Sequence, residues 1–299
     1  MTGWTLNEKN LVATAAAAAP SVHNTQPWVL EFHEDHEVRL YERLDRPLPH
    51  HDPLGRDRLI SCGAALEHVR LAMRILGWLP QIALRHDGAR VTTTGRAEPS
   101  TVDRRRHGAI VARHSHRRPF AARPVAAALR AELLTAHHTD GVGVRRLYDD
   151  ETPALARLLH HAALALRADD AYQRELAAWT APVRDPLPGA GVSSAIRRTS
   201  TLPWGGLVRR TTMVPDVPTL TGRLRGELIL LLETPDDGPF DHVRAGTAAE
   251  QIWLAAVDTG LAGALSTQPF QLHEVRAGLV EALSLSGFPQ LMLRFGHQV

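Results

Sequence analysis

Apolar and polar positions along the chain fall into alternating short segments and longer striped ones. Residues 6–19 are an alanine-rich run with Thr5 or Asn7 as a cap and Pro20 as a stop, which predicts a helix. Residues 28–32 and 38–41 predict two strands around the polar turn Glu34-Asp35-His36. Residues 42–58 are rich in proline and charge and predict a loop. Residues 63–76 place Leu66, Val69, Met73 and Leu76 on one stripe, the signature of a helix. Short strands are expected around 81–85 and 90–94.

The second part of the chain predicts helices at 104–112, 125–136 and 153–167 and a strand at 142–148. Residues 182–222 are rich in Pro, Gly, Ser, Thr and Arg and read as a long, lid-like loop or a disordered surface loop, with Trp204 available to stack on a ring or to fill a second site. A buried strand is expected at 227–232 and a last strand at 291–295. Residues 246–259 are apolar nearly all round, so this helix should be central and buried. It aligns without gaps with residues 63–77. Gly63 matches Gly246, Ala65 matches Ala248, Glu67 matches Glu250, Leu71 matches Leu254, Ala72 matches Ala255 and Gly77 matches Gly260. The match suggests an internal repeat of two homologous halves, residues 1–103 and 104–299.

Composition narrows the function classes. The 299 residues can bury a full core, in one large domain or two similar halves. With 34 basic and 32 acidic residues the net charge is +2, which gives no broad electrostatic reason to bind nucleic acid. Lys9 is the only lysine, so the basic character is almost all arginine. Cys62 is the only cysteine, so no internal disulfide can form. Nothing near the N-terminus resembles a signal peptide and no apolar run reaches membrane-spanning length, so a soluble cytoplasmic protein is expected. His33 and His36 frame an acidic turn without a distant ligand set, and no metal site is expected. Gly189-Ala-Gly191 follows prolines rather than a strand and is a poor dinucleotide loop.

Two polar clusters stand out. Residues 20–28 read Pro-Ser-Val-His-Asn-Thr-Gln-Pro-Trp, and residues 113–120 read Arg-His-Ser-His-Arg-Arg-Pro-Phe. Amide side chains suit the hydrogen-bonding edge of a ring and cations suit a phosphate tail. Arg113, His114, Ser115 and Arg117, with Ser21, Asn24, Gln26, Pro27 and Trp28, resemble the two flavin-contacting motifs of the nitroreductase family. Their order along the chain is the reverse of the common one. The pattern is similar to the Acg-like branch, in which one chain folds as a pseudo-dimer.

The resemblance implies an α+β nitroreductase-like fold and one FMN site built from both halves, the other site having decayed. It implies hydride transfer from NAD(P)H through FMN to a small organic acceptor, with the cofactor carrying the chemistry and no catalytic side chain needed. It also implies a monomer. Arg117 would lie at the pyrimidine edge of the ring, or pair with a carboxylate at the surface. Arg113 and Ser115 would meet ribityl and phosphate oxygens, or serve a helix end. His114 would add a donor or pack. Asn24 would pair with the ring edge or form a turn, and Gln26 would hold the loop. The branch usually carries a basic tail for the phosphate; here Arg294 or Arg104, Arg105 and Arg106 would have to compensate. A flavin-sequestering protein and a cofactor-free descendant of the fold are the rival readings.

Overall fold

The computed structural model describes residues 3–180 and 208–299. Its first part runs through helix α1 (Leu6–Ala17), strands β1 (Trp28–Phe32) and β2 (Val38–Glu42), helix α2 (Arg56–Ile75), and strands β3 (Trp78–Arg85) and β4 (Gly88–Arg96). The rest contains α3 (Thr101–Ala112), α4 (Ala127–Leu134), β5 (Gly143–Arg146), α5 (Thr152–Ala168), α6 (Asp170–Thr180), α7 (Val217–Arg225), β6 (Leu228–Thr234), α8 (Pro239–Asp258), β7 (Ala262–Ser266), α9 (His273–Leu283) and β8 (Phe288–Gly296).

The strands form two sheets of one topology. The first has the order β1-β2-β4-β3 and the second β5-β6-β8-β7, antiparallel throughout. In each, the long central helix, α2 or α8, leads directly into an edge strand. Both helices end alike. Gly77 (φ +82°) and Gly260 (φ +83°) are left-handed and donate their N–H to Arg74 O and Val257 O, each at 2.9 Å. Glycine is the residue that adopts this conformation without a Cβ penalty.

The two central helices cross with their backbones in contact. A Cβ on Gly63 would fall inside Val243 O, and a Cβ on Gly246 would fall inside Ile60 O. Ile60 and Val243 are themselves equivalent in the alignment of the two helices. One turn further on, Gln251 donates to Glu67 at 2.9 Å, while His68, which matches Gln251, meets Glu250 at 2.7 Å. Residue i touching j while the equivalent of j touches the equivalent of i is the mark of a two-fold interface, here within one chain. Helix α3, which links the two halves, packs against both α2 and α8.

The sheets differ in what covers them. Strand β3 alternates half-buried and exposed residues, so the first sheet packs on one face. In the second sheet Leu228, Leu230 and Leu232 face α8, while Ile229 and Leu231 pack with residues of α5, α6, α7 and α9. Residues 147–227 lie between β5 and β6 where the first half has only a short turn between β1 and β2, and their described helices supply that second cover.

The structure departs from the pattern reading in definite places. Helix α2 begins at Arg56 rather than 63, within the expected loop, because Asp52 caps it, accepting from Asp57 N–H (3.1 Å) and Arg58 N–H (2.8 Å). Its first turn is charged but buried: Arg56 bonds Gln290 and Phe270 O. Helix α8 likewise begins at Pro239 rather than 246. Strand β7 is unexpected because Ala-Gly-Ala-Leu-Ser carries no β-branched residue. Of the expected lid at 182–222, residues 182–207, including Trp204, lie outside the described residues. Residues 217–225 are helix α7, and Val208 is buried, its carbonyl accepting from Gln173 at 2.9 Å. Among the described residues no helix is long and apolar enough to cross a membrane.

Candidate functional site

The first wall of the site is the turn that follows α1. His23 (φ +47°), Asn24 (φ +55°) and Gln26 (φ +47°) all have left-handed backbones, which costs about 1–3 kcal/mol for each non-glycine residue. Local bonds hold the turn there. Ser21 Oγ accepts from Gln26 N–H at 3.0 Å, and Ser61 Oγ on α2 accepts from Val22 N–H at 3.2 Å. The Thr25 hydroxyl donates to Val22 O at 2.9 Å. Backbone strain fixed this way brings Ser21, Val22 and His23 to one surface.

The second wall is the extended segment after α3. Ser115 forms a parallel bridge to Gly263 of β7, and His116 N–H donates to Gly263 O at 2.8 Å. Gly263 has no room for a Cβ, which would run into the Trp253 indole and the Phe295 ring. The segment thereby extends the second sheet by a short piece and carries Ser115 and Arg117 to the same surface. Burial alone draws the Arg117 guanidinium below the ordinary arginine range; it remains a cation.

Between these walls is a cavity of about 720 Å³, counting its open mouth. Its lining comes from both halves: Ser21, His23, His51, Asp57, Ile60, Ser61 and Ala64 on one side, and Ser115, Arg117, Gly246, Trp253, Leu265, Thr267 and Gln268 on the other. Two atoms in it are unfinished. Gln268 Oε1, an acceptor, and Trp253 Nε1, a donor, are buried with no hydrogen-bond partner among the described residues. Buried polar atoms are rarely left so. A planar ring with donor and acceptor edges, carrying negative charge toward Arg117, fits this set.

Of the residues expected from sequence, Ser21, Ser115 and Arg117 line the cavity. Asn24 and Gln26 belong to the strained turn beside it; Gln26 contributes a backbone bond. Arg113 and His114 do not line it. The Arg113 guanidinium donates to Ala18 O at 2.9 Å, lies 3.3 Å from Glu250 and stacks on Trp253 at 4.8 Å. It serves the C-terminal end of α1 rather than its own helix. His114 is exposed, with Nδ1 donating to Ala112 O. The proposed substitutes for a basic tail are also engaged: Arg294 is bidentate to Glu227 at 2.5 Å, Arg104 pairs with Glu98 and Arg105 with Asp258.

Pattern reading missed His23, His51 and Asp57. His23 Nε2 lies 3.1 Å from His51 Nδ1, and His51 Nε2 lies 3.6 Å from Asp57 Oδ2. Asp57 also accepts from Thr267 Oγ1 (2.6 Å) and Gln271 Nε2 (2.7 Å), and Gln271 reaches Asp52 at 3.1 Å. Burial first, then His51 and Arg117, pushes His23 well below the usual histidine range. Burial first, then the Asp57 charge, raises Asp52 to about 6. A carboxyl whose folded pKa is raised favours the fold most below its unfolded value near 4 and loses that contribution as pH climbs through about 6. The Asp52→Asn protein should therefore gain roughly 2–3 kcal/mol relative to the parent between pH 4 and pH 7. Denaturant melts at the two pH values check it, and parallel pH dependences would refute it.

A second cavity is the pseudo-symmetric mate of the first. Phe240, Val243, Arg244 and Thr247 line it at the positions of Asp57, Ile60, Ser61 and Ala64, and Ile82 and Leu84 at those of Leu265 and Thr267. His138, Thr139 and Asp140, just before β5, stand where the 20–23 turn stands before β1. Arg70 occupies the place of Trp253 and is held bidentately by Glu67 at 2.7 and 2.8 Å. Among the described residues no group of three or more His, Cys, Asp or Glu side chains is arranged to hold a metal ion.

The fold and the paired cavities define a class: a duplicated α+β protein with a cavity where its two halves meet. The chain is similar to proteins described as nitroreductases, acg among them. A Mycobacterium tuberculosis protein named as an NAD(P)H nitroreductase is 29% identical over 95% of this chain and 83% of its own length. The acg protein of the same organism, under the same description, is 28% identical over 94% of this chain and 86% of its own. No family model matches the chain. Among solved structures, a Bacteroides fragilis nitroreductase with bound FMN aligns with 65% of this chain and 88% of its own at 14% identity, TM-score 0.41. An FMN-dependent nitroreductase of Mycobacterium smegmatis in complex with NADPH aligns with 65% and 88% at 16% identity, TM-score 0.42.

Proposed function

We propose that the chain is an FMN-dependent oxidoreductase that takes hydride from NAD(P)H and passes it to a small organic acceptor such as a nitro, quinone or enone compound. The observation that carries this reading is that two motifs far apart in sequence, at Ser21 and at Ser115–Arg117, line a single cavity at the junction of the halves. Unpartnered Gln268 Oε1 and Trp253 Nε1 in the same cavity support a ring with polar edges. The relatives described as NAD(P)H nitroreductases support the reductant.

Bound FMN would supply the centre that accepts and returns hydride between nicotinamide and acceptor. The residues do the remaining work. Arg117 lines the cavity and would place positive charge beside the bound ring, which would favour its reduced state. Ser21 and Ser115 offer hydroxyls to polar groups of the occupant, and Gln268 and Trp253 complete their own hydrogen bonding against it. The reciprocal contacts of α2 and α8 within one chain support action as a monomer, and use of NAD(P)H fits the cytoplasm.

The test is the visible absorption of the purified protein after addition of FMN, before and after anaerobic NADPH. Flavin bands that bleach are expected. Bands that persist would mean sequestration, and no uptake of FMN would mean that the fold is kept without the cofactor. Arg117→Ala should weaken FMN binding by about tenfold to a hundredfold, the worth of a hydrogen bond to a charged group. Titration followed by fluorescence quenching checks it, and equal affinity would remove Arg117 from the site.

A further inference from the structure

We propose that His23, His51 and Asp57 form a proton relay that delivers one proton to a molecule held in the cavity, with His23 handing it over. The inference rests on the oxidoreductase reading of that cavity.

A reduced nicotinamide gives up a hydride and no proton. A quinone needs one hydride and one proton to become its hydroquinone, so each turnover consumes a proton from elsewhere. His23 and His51 are 7% and 4% exposed, so they are screened from bulk water, and yet both line the cavity. Their ring nitrogens are used in series. His51 presents Nδ1 to His23 and Nε2 to Asp57, and His23 presents Nε2 to His51, a pairing that does not use His23 Nδ1.

This order allows a proton to pass without a lasting imidazolium. A proton on the Asp57–Asp52 pair moves to His51 Nε2, the His51 Nδ1 proton moves to His23 Nε2, and the His23 Nδ1 proton forms the new O–H bond on the acceptor. Hydride from the nicotinamide forms the other new bond, so the nicotinamide is oxidised and the acceptor reduced. Both rings end neutral, in the opposite tautomer, and one proton from water resets the pair. The first gap, 3.6 Å between Asp57 and His51, is longer than a hydrogen bond and closes by a small ring rotation or through one water.

The surroundings favour a neutral His23 ring and a proton on Asp52. His23 faces His51 and the Arg117 charge. His51 stacks on Tyr172 at 5.6 Å, and its backbone N–H donates to Glu175 at 2.7 Å. Asp57 and Asp52 share Gln271, lie beside the Arg56 charge, and face each other at the start of α2. Burial and the neighbouring Asp57 charge favour the protonated form of Asp52.

Two measurements test the relay. The first uses FMN-free protein and follows the ring nitrogens by ¹⁵N NMR. His23 and His51 should change tautomer together between pH 5 and pH 7, and Asp57→Asn should abolish the change in both. Rings that behave independently of each other and of Asp57 would overturn the proposal. The second loads the protein with FMN, reduces it with NADPH and follows single-turnover reoxidation by benzoquinone. His23→Asn, which tolerates the left-handed backbone, and His51→Gln should each slow reoxidation at least tenfold and remove the parent's solvent deuterium isotope effect. Added imidazole should restore part of the rate in His23→Asn. Parent-like rates and isotope effects in both variants would overturn the relay. A protein that NADPH does not reduce would instead overturn the oxidoreductase reading, while the NMR result still decides whether the rings are linked.

Discussion

Replacing Gly246 by alanine should destabilise the protein by about 3 kcal/mol, the upper end of what overpacking costs. The added methyl would occupy the space of Ile60 O, and a carbonyl in the middle of a helix cannot swing aside as a side chain would. The helices would have to separate, and α2 and α8 carry the packed residues of both cores between them. Gly63→Ala should cost a similar amount, because its methyl would meet Val243 O in the mirrored arrangement. The two differ at the site: Gly246 lines the first cavity and Gly63 does not. Gly246→Ala should therefore also weaken ligand binding there, measured under conditions where the variant is still folded. Urea denaturation of both variants gives the stability term. A loss below about 0.5 kcal/mol, the size of an ordinary surface change, would mean that the backbones do not touch.

Glu250→Ala should cost about 3–5 kcal/mol, the penalty for stranding buried charge. Glu250 and His68 are fully buried, and Arg113 is nearly so. The carboxylate receives His68 from α2 and Arg113 from the segment after α3, and these two in turn hold the last carbonyls of α1: His68 Nδ1 donates to Ala15 O at 2.8 Å and Arg113 to Ala18 O. Removing the carboxylate leaves His68 Nε2 without its partner and the Arg113 charge without its ion pair, and loosens the helix end from which the 20–26 turn departs. Glu250→Gln keeps an acceptor oxygen and should cost clearly less. Denaturant midpoints give the ranking, and equal losses in the two variants would refute a charge-based role.

The fold was legible wherever periodicity and glycine spacing carry it. The gapless match of residues 63–77 to 246–260 holds in space: equivalent glycines lie at equivalent backbone crossings, and both helices end in the same left-handed glycine. Strand β7 and helix α6 were illegible, the first because its small residues answer to Trp253 rather than to strand propensity. The beginning of α2 was hidden by charges whose partners, Gln290 and Asp237, lie far along the chain. At the site, the clusters around Ser21 and Ser115–Arg117 were visible as polar residues among turn formers. Arg113 carries the same chemistry in the sequence, but only its distance to Glu250 assigns it to holding α1. His51 and Asp57 gave no local signal, since they acquire meaning through contacts with His23, Thr267 and Gln271.

A homodimer built on this plan would write every substitution twice, once at each of two identical sites. Here the two halves are encoded separately, and each position can change alone. Trp253 and Arg70 show the outcome: one residue in register with another, one stacked beneath a cation at the first cavity, the other locked by its own glutamate at the second. The same freedom let one hairpin accept residues 147–227 while its counterpart stayed a short turn. Covalent linkage thus turns an obligatory symmetry into a choice, and one of the two cavities can lose what the other keeps.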